Sequence, residues 1–204
     1  VELRGGDRSP LQLVLGWMLG TVLLLNGVIA LAPLTGSDPM QYHFVFPKLF
    51  AKAHSIQPIY WDLNSFFLGT PHMLILLGME LGSDRIALAL NFGVYILSVL
   101  ALWRLSETFL PKPYPILAAL LFAVTPMVYW EASSGYVDLW GALYTILALV
   151  AMLTWVRGEN ARWIILSGLF AGFAASCKYT LWAVPLFLGT VLIAFLLLKH
   201  RSPL

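Results

Sequence analysis

Charge is what this sequence has least of. Only 11% of its 204 residues are charged, against roughly 25% in soluble domains, which excludes a self-standing soluble catalytic domain. Cysteine is almost missing as well. Cys177 is the single one, so no internal disulfide can form, and in its apolar surroundings it reads as a small buried hydrophobe. Neither sign of charge dominates. A net charge of +2, with the basic residues near the ends of apolar runs, argues against a nucleic-acid partner. What the chain has in quantity is hydrophobic side chains, 60% of all residues, with a mean hydropathy of +0.83. The natural partner of such a chain is the lipid bilayer. At about 20 apolar residues per span there is room for five or six helices and little else.

Two stretches stand out from this apolar background. The first is Thr35-Gly36-Ser37-Asp38-Pro39-Met40-Gln41-Tyr42-His43, which follows an apolar run from Leu11 to about Pro33. A secretory signal peptide competes for that run, because Ala30-Leu31-Ala32 resembles a cleavage site, but the apolar region exceeds the usual length of about 7–15 residues. It is expected to be a retained span. Residues 39–54 then place Tyr42, Phe46, Leu49, Phe50 and Ala53 on one helical face and Gln41, Lys48 and Lys52 on the other, the pattern of an interfacial helix. Asp38-Pro39 is a favourable helix start, with Asp as N-cap, so capping alone would explain Asp38. The second stretch is Ser134-Gly135-Tyr136-Val137-Asp138, at the mouth of another apolar run.

Between the two, residues 57–63 are aromatic and contain proline, as at a membrane interface. Residues 65–81 are apolar but interrupted by Gly69, Pro71 and His72, more like a re-entrant piece than a span. Further spans are expected at about 86–105, 114–129, 136–156, 163–178 and 181–198. Cytoplasmic loops carry the excess of lysine and arginine, which tests whether 65–81 crosses. If it does not, Arg4, Arg8, Arg104, Lys112, Arg157, Arg162, Lys199 and Arg201 lie inside, and Lys48, Lys52, Arg85 and Lys178 outside, eight against four. If it crosses, the ratio inverts. The expected fold is therefore an all-α polytopic bundle of about six transmembrane helices in a single domain, 1–204. It has a first span at 11–33, an extracytoplasmic loop at 34–83 that is amphipathic and partly re-entrant, and five further spans within 86–198. The N-terminus is expected in the cytoplasm. Asp38, Asp138 and Lys178 then share the outer face.

Acids at a membrane surface are costly unless paired, solvated or functional. Two carboxylates facing one cavity suit a divalent metal ion, or one of them suits a base acting on a hydroxyl. A nearby lysine suits a departing phosphate. Tyr42, Tyr60, Trp61 and Trp130 fit either sugar stacking or the aromatic belt.

Asp38-x-x-x-Tyr42-His43 followed by Pro47-Lys48-Leu49 resembles the first outer loop of bacterial GT-C membrane glycosyltransferases, the protein O-mannosyltransferase and lipid A aminoarabinose transferase group. In the same order, the Gly82-Ser83-Asp84 turn, Ser134-Gly135-Tyr136-Val137-Asp138-Leu139 and Gly168-x-x-x-Gly172 with Cys177-Lys178-Tyr179-Thr180 are similar to that family. The resemblance implies transfer of a sugar from a polyprenyl-phosphate donor to an extracytoplasmic acceptor, in a bacterial inner membrane. It implies catalytic roles for Asp38 and Asp138, both also candidate ligands of a divalent metal ion, and substrate contacts for Lys178, His43 and Tyr42. Such enzymes have roughly twice this length or more, so the resemblance is to an N-terminal transmembrane module. The alternative is a non-catalytic integral membrane subunit that packs against other integral membrane subunits of a larger complex. There, Asp38 would be a cap, Asp138 a favourable charge at a helix N-terminus, and Gly168-x-x-x-Gly172 a close-packing face. Half of a transporter fits less well, because the charges sit at helix ends rather than mid-membrane.

Overall fold

The computed structural model describes residues 9–66, 69–158 and 160–201. Arg4 and Arg8, on which part of the inside–outside count rests, lie outside the described residues, as do Glu159 of the turn after α7 and residues 202–204.

The described residues are helical, with no strand among them. The elements are α1 (Pro10–Ile29), α2 (Val45–Ala53), α3 (Thr70–Glu80), α4 (Asp84–Ser106), α5 (Tyr114–Val124), α6 (Pro126–Ser134), α7 (Asp138–Gly158), α8 (Ala161–Cys177) and α9 (Ala183–Arg201). Among the described residues four helices are long and apolar enough to cross a membrane: α1, α4, α7 and the continuous run Tyr179–Lys199 that takes in most of α9. Counting the α5–α6 pair as one span makes five. The sequence had suggested about six. The remaining candidate is α8, whose 17 residues extend about 25 Å at 1.5 Å per residue, short of a hydrocarbon core of about 30 Å. The first span also stops earlier than Pro33, at Ile29. Its start is well made: Ser9 and Gln12 form a reciprocal capping box.

The expected span at 114–129 is broken. Pro126 has no N–H to continue the helical ladder, and α5 and α6 meet at a 62° bend. Backbone carbonyls near such a break need donors in a medium without water, and neighbouring helices supply them. Tyr95 on α4 donates its hydroxyl to the Ala123 carbonyl at 2.9 Å. Asn26 on α1 donates to the Tyr129 carbonyl at 2.6 Å. Asn91 on α4 donates to the Glu131 carbonyl at 3.1 Å and accepts from the Trp140 indole at 2.9 Å. Asn26, Asn91 and Tyr95 are fully buried, so these polar residues in apolar helices serve to hold the bend. Around them Val99, Ala119, Leu120, Ala132 and Leu143 close the main core.

Helix α3 packs on α4 at contact distance. A Cβ at Gly78 would lie 2.7 Å from the Ala87 Cα. It is an 11-residue helix in the region read as re-entrant, and it is not among the candidate spans. Helix α8 packs on α7 through Ser167, Ala171, Ala174 and Ala175, with the Ser167 hydroxyl donating to the Ala148 carbonyl at 2.9 Å. The Gly168-x-x-x-Gly172 face does not do this. A Cβ on either glycine would meet nothing within 4 Å. The outer faces of α1 and α9 carry exposed Leu, Val and Phe side chains, as surfaces bathed in lipid do.

Candidate functional site

One end of the bundle gathers both stretches picked out in the sequence, and glycine makes the join. Gly135 ends α6 with φ +82°, a left-handed conformation that other residues adopt at a cost. A Cβ there would lie 2.7 Å from Leu34 and 2.9 Å from Phe44. Gly36 has no room either, since its Cβ would fall 2.8 Å from the Tyr136 ring. The two stretches are interlocked, each glycine admitting a side chain from the other segment.

The first stretch departs from the expected helix start. Asp38 already has helical backbone angles, and its side chain caps nothing. A single π-helical turn, Pro39–His43, follows, closed by the Phe44 N–H donating to the Pro39 carbonyl at 3.0 Å. The wider turn shifts the register of every residue after it. As a result His43 and Phe44 join Phe46 and Phe50 in being buried, whereas Ala53 is exposed. Lys48 of α2 pairs with Asp84 at the start of α4. The Asp38 carboxylate accepts from the Tyr42 hydroxyl at 2.7 Å and the Ser37 hydroxyl at 3.1 Å. Burial first, and then this hydrogen bond, hold the Tyr42 hydroxyl well above its usual range, so it remains a protonated donor.

His43 meets a partner that its sequence neighbourhood does not reveal. Its Nδ1 lies 2.7 Å from Nε2 of His72 on α3, and both rings are buried. Burial, the neighbouring His72 and the more distant Lys178 push His43 down to about 3, opposed by Asp38. Burial pushes His72 down to about 4. Both are neutral imidazoles at neutral pH, one donating its ring proton to the other.

Asp138 occupies the first turn of α7, where the helix dipole favours its charge, and it forms an ion pair with Lys178 at the end of α8. The lysine expected to face a phosphate thus already has an anionic neighbour. A cavity of about 440 Å³ is lined by Asp38, Tyr42, His43, Asp138 and Lys178, so all five residues singled out in the sequence reach it. His72 and Glu131, which were not singled out, line it too. A second hollow of about 470 Å³ shares Asp138, Lys178 and Thr180 with the first, and continues along α7 past Ala142 and Ile146 to Leu181. The ion pair lies where the two adjoin, between the chamber lined by Asp38 and the hollow along α7. Cys177 is buried at the chamber wall. Tyr60 and Trp61 are highly exposed and do not line the cavity, which suits the aromatic belt. Among the described residues no group of three or more His, Cys, Asp or Glu is placed to hold a metal ion.

Residues 71–204, about two thirds of the chain, match the family model of the dolichyl-phosphate-mannose-protein mannosyltransferases. The chain belongs to that family. It is a GT-C-like membrane glycosyltransferase, as the ordered motifs of the sequence suggested. The matched part of this GT-C chain includes His72, Glu131, Asp138 and Lys178, whereas Asp38, Tyr42 and His43 precede it. No curated protein and no solved structure gives a significant match.

Proposed function

We propose that this GT-C chain transfers a sugar from a polyprenyl-phosphate donor to an acceptor hydroxyl, at the end of the bundle where Asp38 and Asp138 line one cavity. The observation that carries this reading is the pair of hollows adjoining at Asp138 and Lys178. A polyprenyl-phosphate sugar is polar at one end and apolar at the other. Ala142, Ile146 and Leu181 in the second hollow suit the first prenyl units, Lys178 the phosphate, and the chamber beyond it the sugar. Charge builds on the leaving phosphate as the anomeric C–O bond breaks, and a lysine already in position stabilises that charge without reorganisation. Asp38, held by two hydroxyl donors, organises the reacting groups on the sugar side. A divalent ion at Asp38 and Asp138 would complete its shell with phosphate oxygens and water.

We place this end outside the cytoplasm on the expectation that basic residues favour the opposite side, and a bacterial inner membrane is the proposed location. The test is Asp38→Asn, which removes the charge but keeps the shape and needs no cap to be replaced. Transfer of label from a polyprenyl-phosphate sugar is expected to fall about a hundredfold or more, the scale for losing a preorganised polar group, with unchanged thermal unfolding. Full transfer by the variant would remove Asp38 from the mechanism.

A further inference from the structure

Three acids line the chamber, and their surroundings divide them. The Asp38 carboxylate accepts from two hydroxyls. The Asp138 carboxylate is paired with Lys178. Glu131 is different. It is 6% exposed, it lines the chamber, and its side chain makes no hydrogen bond or ion pair among the described residues. Its backbone, by contrast, is held firmly, with the carbonyl accepting from Asn91 and a neighbouring carbonyl accepting from Asn26. A buried carboxylate without a donor is costly. The fold nevertheless bends a helix at Pro126 and spends two buried asparagines on fixing the turn that presents Glu131.

We propose that Glu131 is a catalytic residue of this site, the carboxylate that accepts a hydrogen bond from the acceptor hydroxyl and takes its proton. The step rests on the polyprenyl-phosphate reading above and deepens it. The acceptor oxygen forms a bond to the anomeric carbon as the bond from that carbon to the phosphate oxygen breaks. The electron pair of the broken bond leaves with the polyprenyl phosphate beside Lys178. The hydroxyl proton passes to a Glu131 oxygen, and later to water. Asp38 and Asp138 each already hold protein donors, whereas the Glu131 carboxylate holds none among the described residues. The substrate group recognised is a hydroxyl, and the missing hydrogen-bond donor to Glu131 is the one the acceptor brings.

The test uses the full chain in native membranes with polyprenyl-phosphate [¹⁴C]mannose, following label that enters acceptor or is released as free sugar. Glu131→Gln keeps the shape and removes the basicity. Its kcat is expected to fall by about a hundredfold to ten-thousandfold, the range for general-base catalysis, with the donor KM unchanged. Formate is expected to restore part of the turnover of Glu131→Ala. A merely structural glutamate would show neither the split between kcat and KM nor the rescue. If Glu131→Gln lacks folded yield, Glu131→Asp decides: a kcat lowered tenfold or more at unchanged KM supports the assignment, and an unchanged kcat overturns it. An active wild type with an equally active Glu131→Gln overturns Glu131 alone. A wild type that moves no label overturns the donor class, and this step with it.

Discussion

Acid should loosen this site before it affects the rest of the bundle, through the His43–His72 pair. In the folded chain these groups titrate at about 3 and about 4. In the unfolded chain both return to the ordinary value of about 6.5. Between about pH 6.5 and 4 the unfolded state therefore binds protons that the folded state refuses. Stability rises with pH wherever the unfolded state binds more protons, so it is present in full above about pH 6.5 and is lost on acidification through that window. A pH of about 5 lies about 1.5 units below the unfolded value of each histidine, at about 1.4 kcal/mol per unit. That is about 2 kcal/mol for one ring, and about 2–4 kcal/mol for two that share a proton.

The groups around the pair are Asp38, Tyr42, Tyr136 and Lys178. Asp38 favours protonation and Lys178 opposes it. The assay is reversible unfolding in detergent or nanodiscs at about pH 7.5 and 5, for wild type and for a His43→Asn, His72→Gln double variant. Wild type is expected to lose about 2–4 kcal/mol more than the double variant between the two conditions. A double variant with the same response to acid as wild type would refute the reasoning.

Other substitutions probe the framework beneath the site. Gly78→Ala drives a methyl into the backbone of Ala87 and is expected to cost about 1–3 kcal/mol, the usual range for overpacking, measured by the same unfolding assay. Asn91→Leu strands the Trp140 indole N–H and the Glu131 carbonyl, at about 0.6–1.7 kcal/mol each for hydrogen bonds inside a membrane protein. A double-mutant cycle with Trp140→Phe should return part of that cost as coupling energy. Lys178→Met removes the cation and leaves Asp138 unpaired; the polyprenyl-phosphate Kd is expected to rise at least tenfold by isothermal calorimetry.

Much of the site was legible because punctuation marks it. Gly36, Asp38 and Pro39 interrupt an apolar chain, and so do Gly135 and Asp138, and the two segments do meet. What stayed hidden depends on tertiary contact or on small changes of register. Nothing in Pro39–His43 announces that its turn is one residue wider than an α-helical one, and that extra residue decides that His43 is buried. His72 looked like a flaw in an apolar stretch until the fold set it against His43. Glu131 sits in what reads as a polar turn, and its position depends on the bend at Pro126. The described residues offer four or five candidate spans rather than about six for related reasons. Composition fills 114–129 and 163–178 with apolar residues, but proline breaks the first and length limits the second. Within this chain the packed face of α8 lies one position away from Gly168 and Gly172, at Ser167 and Ala171.

The central claim is that one amphiphilic donor spans the two hollows joined at Asp138 and Lys178. Native mass spectrometry of the protein purified in mild detergent, before and after adding polyprenyl phosphate, tests it most directly. The account predicts one bound polyprenyl phosphate per chain, retained in wild type and lost in Lys178→Met. A wild-type protein that binds none, or a Lys178→Met variant that binds it equally well, would contradict it.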